Sequence, residues 1–285
     1  MNILILGVTG MLGRAVFKRF SAVPSYRVWG TLRSAESLRY FSSQARDCLL
    51  PNIDVLDQDS LVTAFERARP DVVINCVGLI KQLADSKDPL SALPINAMLP
   101  HRLAKLCALA RARLIHISTD CVFSGRTGMY TETDVSDAED LYGKSKFIGE
   151  LYDHPHAITL RTSIIGHEMG RNSSLIDWFL GQSGAIKGYK KAIFSGLPTA
   201  ELARVMSDYV IPASGLHGLY NVSVDPIDKF SLLKLVADVY GKKIDIIADE
   251  EVRIDRSLDS SRFRHATGYV PPAWPELVKM MHDQR

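Results

Sequence analysis

The sequence predicts an α/β protein with a doubly wound parallel sheet and a smaller domain after it. Three observations lead to this fold class. Short apolar runs alternate with helical segments through the first 165 residues, closely spaced glycines follow the first run, and the alternation stops after Gly166. Runs rich in Val, Ile and Leu on both faces are typical of strands in a parallel sheet that helices cover on both sides.

The predicted elements of the first domain, residues 1–165, follow this alternation in order. Its strands are six short apolar runs: Asn2–Leu6, Arg27–Leu32, Cys48–Asp54, Asp71–Val77, Leu114–Ser118 and Ala157–Thr162. The helical segments between them are Met11–Phe20, Ala35–Ala45, Ser60–Ala68, Ser91–Arg111 and Tyr142–Tyr152. Sheets of this kind bind their ligands beyond the carboxyl ends of the strands, so the residues at those ends are the candidate site residues.

The remaining chain, residues 166–285, predicts a smaller domain that is interleaved with the first. Helices are indicated by "SLIDWFLGQ" and "PTAELARVMSDYV", and by the segments Lys229–Tyr240 and Glu276–Met281. The run "GLYNVSV" at 218–224 predicts one further strand that returns to the first sheet. We expect this second domain to cover the substrate.

Composition and charge exclude several classes of partner. The chain is 46% hydrophobic and 23% charged, as in ordinary globular proteins, and its net charge of +2 gives no electrostatic reason to expect nucleic acid or a membrane surface. Four widely separated cysteines favour free thiols in a reducing compartment and argue against a metal site. The N-terminal apolar run, Ile3–Leu6, is too short for a signal peptide, and no stretch approaches a membrane span, so we expect a cytoplasmic protein.

The segment "GVTGMLGRA" at 7–15 places three glycines directly after the first predicted strand. A strand, a glycine turn and a helix can bring a pyrophosphate against bare backbone amides at the helix N-terminus. The alternative is a tight turn without a ligand, but the position after the first strand of a parallel sheet favours dinucleotide binding. The residues predicted to bind the cofactor here are Gly7, Thr9, Gly10, Met11, Leu12, Gly13 and Arg14.

Two arginines bear on the choice of dinucleotide. NAD-binding sheets have a carboxylate about 20 residues past the glycines for the ribose 2′-hydroxyl, whereas the first acidic residue of this chain is Glu36. Arg14 in the turn and Arg33 in "TLRS" are instead placed to contact a 2′-phosphate, which arginine binds well. The alternative is that both are solvated surface residues. We predict NADPH as the cofactor, with NADH as the alternative.

Two further strand ends contribute candidate cofactor contacts. Asp54 and Val55 close the third strand, where an adenine would lie, although an acidic strand end can also cap the next turn. Cys76, Val77 and Gly78 close the fourth strand, where small residues let a cofactor pass.

Tyr142 and Lys146 lie four residues apart in "LYGKSKFIGE" and therefore on one helix face. Upstream, "HISTDCVFSG" ends the fifth strand in Ser118, Thr119 and Asp120. Tyrosine, with an ordinary pKa of about 10, is a poor acid at neutral pH unless a neighbouring ammonium lowers its pKa. Thr119 would donate a hydrogen bond to a substrate carbonyl oxygen. A solvated helix face and a simple strand-end turn are the alternatives to this catalytic interpretation.

Together these segments resemble the dTDP-4-dehydrorhamnose reductase family of extended short-chain dehydrogenases. The resemblance rests on "GVTGMLGRA", "INAMLPHRLA", "HISTDCVFSG", "LYGKSKFIGE", "LRTSIIG", "GLPTAELA" and "RSLDSSRF", and it covers nearly the full chain. It implies NAD(P)H-dependent reduction of the C4 ketone of a nucleotide-linked 4-keto-6-deoxy sugar. It further implies catalytic roles for Thr119, Tyr142 and Lys146, with Tyr142 as the proton donor, and a position near the active centre for Asn96.

The chain departs from the family pattern on the substrate side. Cys121 stands where the family usually has tyrosine, and Lys81 and Gln82 replace a Tyr-Thr pair in the loop after the fourth strand. These positions would line the sugar pocket, so the particular sugar and its nucleotide remain open. The predicted substrate residues are Lys81, Asn96, Ser118, Asp120 and Cys121. Lys187, Lys190 and Lys191 are either phosphate partners or a solvated basic patch.

Other functions remain open on sequence alone. The regulatory β-subunit of methionine adenosyltransferase resembles the same family and acts as a binding partner rather than an enzyme. A third hypothesis is a nucleotide-sugar epimerase or dehydratase of the same superfamily. In a dehydratase, Asp120 would be the acidic residue beside the threonine. A homodimer is compatible with all three, and no metal is expected.

Overall fold

The computed structural model describes residues 1–80, 84–169 and 174–284. The chain divides into two compact units. The first comprises Met1–Ser118, Asp140–Leu160 and Ser214–Leu219, and the second comprises Thr119–Glu139, Arg161–Ala213 and Tyr220–Arg285. The sequence predicts one boundary at residue 165, whereas in the structure the second unit also includes the segment 119–139, which begins at the last residue of the fifth strand.

A seven-stranded sheet confirms the predicted fold class. In chain order its strands are β1 (Asn2–Leu6), β2 (Arg27–Thr31), β3 (Leu49–Leu50), β4 (Val72–Asn75), β5 (Arg113–Thr119), β6 (Ala157–Thr162) and β10 (Gly218–Asn221). Their spatial order is β10-β6-β5-β4-β1-β2-β3. The pairs β1–β2, β1–β4, β2–β3 and β4–β5 are parallel, as in doubly wound sheets. The strand order reverses between β1 and β4, which is where such sheets bind ligands.

The helices of the first unit are α1 (Met11–Ser21), α2 (Ser43–Arg46), α3 (Gln58–Ala68), α4 (Pro89–Ala92), α5 (Leu99–Ala110) and α6 (Leu141–Ile148). Buried aliphatic side chains of the sheet and of α3 and α5, among them Leu4, Val73, Leu61 and Leu103, form a core between them. This core fixes the strand ends on which the candidate site residues lie.

Four predicted elements differ from those observed, one of them being the helix predicted over Tyr142–Tyr152, which ends at Ile148 because Gly149 is its C-cap. The third strand is two residues long because Pro51 follows it and Asn52 adopts a left-handed φ of 61°. The helix expected over 35–45 is a 3-10 turn, Ala35–Tyr40, followed by α2. The long helix expected over 91–111 contains a π-helical segment, Leu93–Met98, between α4 and α5. Such segments are frequent at functional sites.

The second unit contains the remaining elements: β7 (Ile164–Ile165), α7 (Leu175–Gly181), β8 (Ala185–Phe194), β9 (Leu197–Pro198), α8 (Thr199–Val205), β11 (Ile227–Asp228), α9 (Lys229–Tyr240), β12 (Asp245–Asp255), α10 (Ser261–Thr267) and α11 (Trp274–Asp283). β8 pairs with β11 in antiparallel and with β12 in parallel direction. Residues of α7, α9 and α11, including Phe179, Leu232 and Val278, form its core. Within the described residues, no helix is long and apolar enough to cross a membrane.

Candidate active site

The glycine turn after β1 has the geometry that its sequence predicts. Gly7 adopts a φ of +82°, and a Cβ on Gly13 would lie 2.2 Å from the Gly7 carbonyl oxygen, so α1 can start this close to the turn only with glycine there. Gly10 is the N-cap of α1, with no side-chain hydrogen bond to the helix and no acidic residue in the first turn. Within the described part of the chain, the N-terminal amides of this eleven-residue helix thus have no side-chain cap, and the glycine turn fits a pyrophosphate.

Arg14 and Arg33, which are predicted to bind the 2′-phosphate of NADPH, are both exposed. Among the described residues, neither Arg14 nor Arg33 makes an ion pair or a side-chain hydrogen bond. The Gly7 amide donates to the Thr31 hydroxyl at 3.1 Å, which ties the glycine turn to the end of β2, two residues before Arg33. Both guanidinium groups are thus available to an anionic ligand, as a 2′-phosphate contact requires.

Asp54 and Val55 do not close the third strand, which already ends at Leu50, and Asp54 instead matches the alternative interpretation. Its carboxylate accepts from the Leu56 amide at 2.9 Å and so stabilises the following turn. Val55 is half-buried and packs against the core of the first unit. An adenine contact by either residue stays a prediction.

Gly78, Asn96 and Lys146 come together at the end of β4. A Cβ on Gly78 would lie 3.5 Å from Asn96 Oδ1 and 4.0 Å from Lys146 Nζ. The Asn96 side chain accepts from the Leu79 amide at 2.9 Å and donates to the Leu79 carbonyl at 3.1 Å. It also donates to Ser145 Oγ on α6 at 3.2 Å. Asn96 therefore orders the loop after β4 beside Lys146.

Cys76 and Val77 lie at the same strand end. Val77 Cγ2 would be 2.8 Å from a Cβ on Gly7, so the ends of β1 and β4 meet closely at the point where the strand order reverses. Burial raises the pKa of the Cys76 thiol to about 12, which keeps it protonated and unreactive at neutral pH.

Lys146 is a buried cation on the helix that carries Tyr142. Asp140 caps this helix by accepting from the Gly143 amide at 2.8 Å. The Lys146 side chain is only 5% exposed, and its Nζ donates to the Ile117 carbonyl at 2.7 Å. Burial lowers its pKa to about 8, against the opposing effect of the Glu150 carboxylate. Tyr142 is half-buried in the first turn of α6.

Ser118 has a partner that sequence reasoning missed. Its hydroxyl donates to Glu150 Oε1 at 2.6 Å, and Tyr152 donates to the other carboxylate oxygen at 2.6 Å. The available signal was a carboxylate four residues after the predicted catalytic lysine, the spacing of helix neighbours. Ser118 is thus engaged within the protein, and contact with a substrate stays a prediction.

Thr119, the last residue of β5, belongs to the second unit. Its hydroxyl donates to Asp120 Oδ1 at 3.1 Å and accepts from the Cys121 amide at 3.2 Å. Burial raises the pKa of Asp120, while the Arg256 guanidinium and nearby hydrogen bonds work against that rise. Burial and the Asp120 charge raise the pKa of the Cys121 thiol to about 12.

Two cations of the second unit lie near Asp120 and were not predicted. Burial lowers the pKa of Lys229, the first residue of α9, and Asp120 opposes this. Arg256 donates from Nε to the Phe123 carbonyl at 2.7 Å. Both lie more than 100 positions from Asp120 in the sequence, so no local pattern pointed to them.

The three lysines of β8 differ in their surroundings. Lys187 pairs with Asp249 at 2.7 Å and with Glu251 at 3.3 Å, and Lys190 lies over the Phe230 ring. Lys191 faces Arg253 across the strand pair and lines an open cavity of about 520 Å³. The predicted substrate residue Lys81, like Gln82, lies outside the described residues. In the described part of the chain, no group of three or more His, Cys, Asp or Glu side chains could hold a metal ion.

The sheet, the glycine turn and the Tyr142–Lys146 helix together define a dinucleotide-binding α/β protein of the short-chain dehydrogenase type. Residues 1–176 match the model of the family described as RmlD substrate binding domain, and the chain belongs to this family. This confirms the family that the sequence motifs predicted.

Individual relatives agree with this membership. A dTDP-4-dehydrorhamnose reductase from Aggregatibacter actinomycetemcomitans is 24% identical over 302 residues, covering 98% of this chain and 97% of that protein. The methionine adenosyltransferase 2 subunit beta of Danio rerio is 28% identical over 253 residues, covering 84% and 74%. The crystal structure of a dTDP-4-dehydrorhamnose reductase from Bacillus anthracis, in complex with NADP, has the same fold, with a TM-score of 0.79, 20% identity and 99% of each chain covered.

Proposed function

We propose that this protein is an NADPH-dependent reductase that acts on the C4 ketone of a nucleotide-linked 4-keto-6-deoxy sugar in deoxysugar and polysaccharide biosynthesis. The buried Lys146 carries the proposal. This lysine is 5% exposed and burial lowers its pKa to about 8, and a buried ionisable group with such a shifted pKa is a candidate functional residue. It lies four residues after a tyrosine, and its Nζ binds the strand that ends in Thr119.

The cofactor side of the proposal rests on the first unit. NADPH, when bound, supplies the hydride for the carbonyl carbon. The amides at the start of α1 would bind its pyrophosphate, and Gly13 keeps this surface free of side chains. Arg14 and Arg33 would bind the 2′-phosphate, while Cys76, Val77 and Gly78 would border the cofactor, with Asp54 and Val55 toward the adenine. NADH stays the alternative cofactor, because a UDP-glucose 4-epimerase of the same fold from Thermus thermophilus is in complex with NAD.

Three side chains would perform the proton chemistry. Tyr142 donates a proton to the carbonyl oxygen as the alcohol forms. The Lys146 ammonium would stabilise the resulting phenolate. Thr119 turns its hydroxyl from Asp120 to the carbonyl oxygen and stabilises the developing negative charge.

The second unit supports a phosphorylated substrate. Lys229 and Arg256 would bind the diphosphate of the nucleotide, because two cations beside one buried carboxylate leave excess positive charge. Asp120 and Cys121 would then lie on the sugar side, and the Cys121 side chain leaves more room than the tyrosine of the family pattern. Lys81 and Asn96 remain proposed contacts of the sugar.

A regulatory role is the second candidate, because the methionine adenosyltransferase 2 subunit beta of Danio rerio is similar over 84% of this chain. In that case the glycine turn would bind NADPH without turnover. We also propose a reducing, cytoplasmic location, which the free Cys48, Cys76, Cys107 and Cys121 support. A homodimer stays a prediction, which light scattering of the purified chain measures.

The test is the consumption of NADPH by the purified protein with a panel of nucleotide-linked 4-keto-6-deoxy sugars, each with dTDP, UDP, GDP or CDP as carrier. Turnover with one sugar supports the reductase and identifies its substrate. Tight NADPH binding without turnover on any sugar, together with a stable complex with a methionine adenosyltransferase catalytic subunit, favours the regulatory role. Conversion of a sugar without net NADPH consumption indicates an epimerase or dehydratase.

A further inference from the structure

Glu150 is a fully buried carboxylate to which the proposed reaction assigns no part. Its side chain is 2% exposed, and it lies two residues beyond the end of α6. Burying a charge is costly unless hydrogen bonds and opposite charges compensate it. Both carboxylate oxygens of Glu150 accept short hydrogen bonds, one from Ser118 and one from Tyr152, each at 2.6 Å.

Two side-chain hydrogen bonds, here called ties, join β5 to the segment that follows Tyr142, and Glu150 makes the second of them. The first tie is the hydrogen bond from Lys146 Nζ to the Ile117 carbonyl. The second joins Glu150 to Ser118, the next residue of β5. The two ties therefore hold consecutive residues of the strand, directly before Thr119 in the sequence.

Close backbone packing keeps Glu150 in this position. Gly149 ends α6, and a Cβ there would lie 2.1 Å from the Asn96 carbonyl oxygen. The chain is thus pressed against the π-helical segment that contains Asn96, directly before Glu150. Only glycine fits at this close approach, and the next residue, Glu150, accepts the hydrogen bond from Ser118.

We propose that Glu150 is a positioning residue of the active site: through its hydrogen bond to Ser118 it fixes the end of β5, and through its charge it keeps the neighbouring Lys146 in the ammonium form. This inference rests on the proposed function for its catalytic meaning, since Lys146 is the residue that would activate Tyr142. The tie itself exists whatever the reaction.

The charges around Lys146 support this role. Glu150 is the carboxylate that opposes the effect of burial on the pKa of Lys146. On β5, burial and the Lys146 charge hold the pKa of His116 well below its ordinary value, and His101 on α5 acts on His116 in the same direction. The His116 ring is therefore neutral and adds no competing charge beside Lys146 at neutral pH. Lys146 is charged below its pKa, so losing the Glu150 charge moves the loss of the ammonium to lower pH.

The experiment measures the ionisation of Lys146 directly. NMR titration of protein labelled with 13C at the lysine Cε gives the Lys146 midpoint, with Lys146→Arg to assign its signal. We expect Glu150→Gln to lower this midpoint by about one pH unit, and Glu150→Asp to lower it less because the charge is kept. Tyr152→Phe is the matched control, because it removes a hydrogen bond to Glu150 and leaves the charge; its midpoint should stay close to that of the wild type.

The same variants are then compared in the pH profile of kcat with a turned-over sugar. We expect the fall in kcat at high pH to move to lower pH in Glu150→Gln by the same amount as the NMR midpoint, and to return toward the wild-type position in Glu150→Asp. An unchanged midpoint in both Glu150 variants would overturn the proposal, even in an active reductase. A shifted midpoint in a protein that reduces no sugar would retain the effect of the Glu150 charge on Lys146 and reject the proposed function instead.

Discussion

The two units arrange charge around their candidate site residues in different ways. In the first unit, Lys146 and Glu150 are four residues apart, and both are hydrogen-bonded to consecutive residues of β5. In the second unit, Asp120 interacts electrostatically with Lys229 and Arg256, which lie more than 100 positions away in the sequence. The proposed cofactor site is thus encoded in short local motifs, whereas the proposed substrate site depends on contacts that only the fold creates. Substitutions in the two units should therefore separate the loss of cofactor binding from the loss of substrate binding.

Tyr142→Phe should have the largest effect on turnover and a small effect on cofactor binding. Removing a general acid lowers kcat by about 100- to 10,000-fold, while the phenyl ring keeps the packing of α6, so the Kd of NADPH should change by less than about threefold. Steady-state kinetics and NADPH fluorescence measure the two quantities. Tyr40→Phe, which removes an exposed hydroxyl bonded to Arg39, is the control. A Tyr142→Phe variant with a tenth of wild-type kcat would exclude Tyr142 as the proton donor.

Gly13→Ala should weaken cofactor binding and the fold together. The new Cβ would overlap the Gly7 carbonyl oxygen, so the turn or α1 must move. We expect the free energy of unfolding to fall by about 1–3 kcal/mol and the Kd of NADPH to rise by at least about tenfold. Chemical denaturation and fluorescence titration measure both. Gly10→Ala is the matched comparison in the same turn, because its Cβ would be 3.4 Å from the same oxygen. Equal effects of the two substitutions would contradict the close approach at Gly13.

Arg33→Ala should alter the choice of cofactor alone. The loss of a charge-assisted contact to the 2′-phosphate raises the Kd of NADPH by about 10- to 100-fold, and NADH, which has no such phosphate, serves as the internal control. Isothermal titration calorimetry with both cofactors decides the outcome. Parallel weakening of NADPH and NADH would show that Arg33 acts on the fold rather than on the phosphate.

Lys229→Ala should raise the KM for the nucleotide sugar by about tenfold and leave the Kd of NADPH unchanged, because the lost contact is made by the substrate in ground and transition states alike. Lys234→Ala on the same helix is the control, since its ammonium lies over the Phe230 ring. A changed Kd of NADPH in the Lys229 variant would contradict the proposal that the second unit binds the substrate and the first unit binds the cofactor.

The parts of the fold that sequence reasoning predicted are those with strong local signals. β1 and β6 have the predicted bounds, and α9 runs over Lys229–Tyr240 as expected, between the Asp228 cap and Gly241, whose φ is +63°. β8 was missed because its lysines interrupt the apolar alternation that predicts a strand. The third strand was overestimated because apolar Ile53 extended the run past Pro51 and Asn52.

The candidate site divides in the same way. The glycine turn and the face shared by Tyr142 and Lys146 followed from spacing alone. The role of Glu150, the tie of Asn96 to Leu79 and the cations beside Asp120 depend on which strand ends meet, and a single sequence does not specify those contacts. Asp54 differs from these residues, because its observed hydrogen bond, from the Leu56 amide, is local and stabilises a turn.

The central claim is that this chain transfers hydride from NADPH to C4 of a nucleotide-linked 4-keto-6-deoxy sugar. The most direct measurement uses NADPH deuterated at the nicotinamide C4 and analyses the sugar product by mass spectrometry and NMR. We expect one deuterium at C4 of the product with the wild-type protein and about 100-fold slower incorporation with Tyr142→Phe. Tight NADPH binding with no deuterium in any sugar of the panel would contradict it.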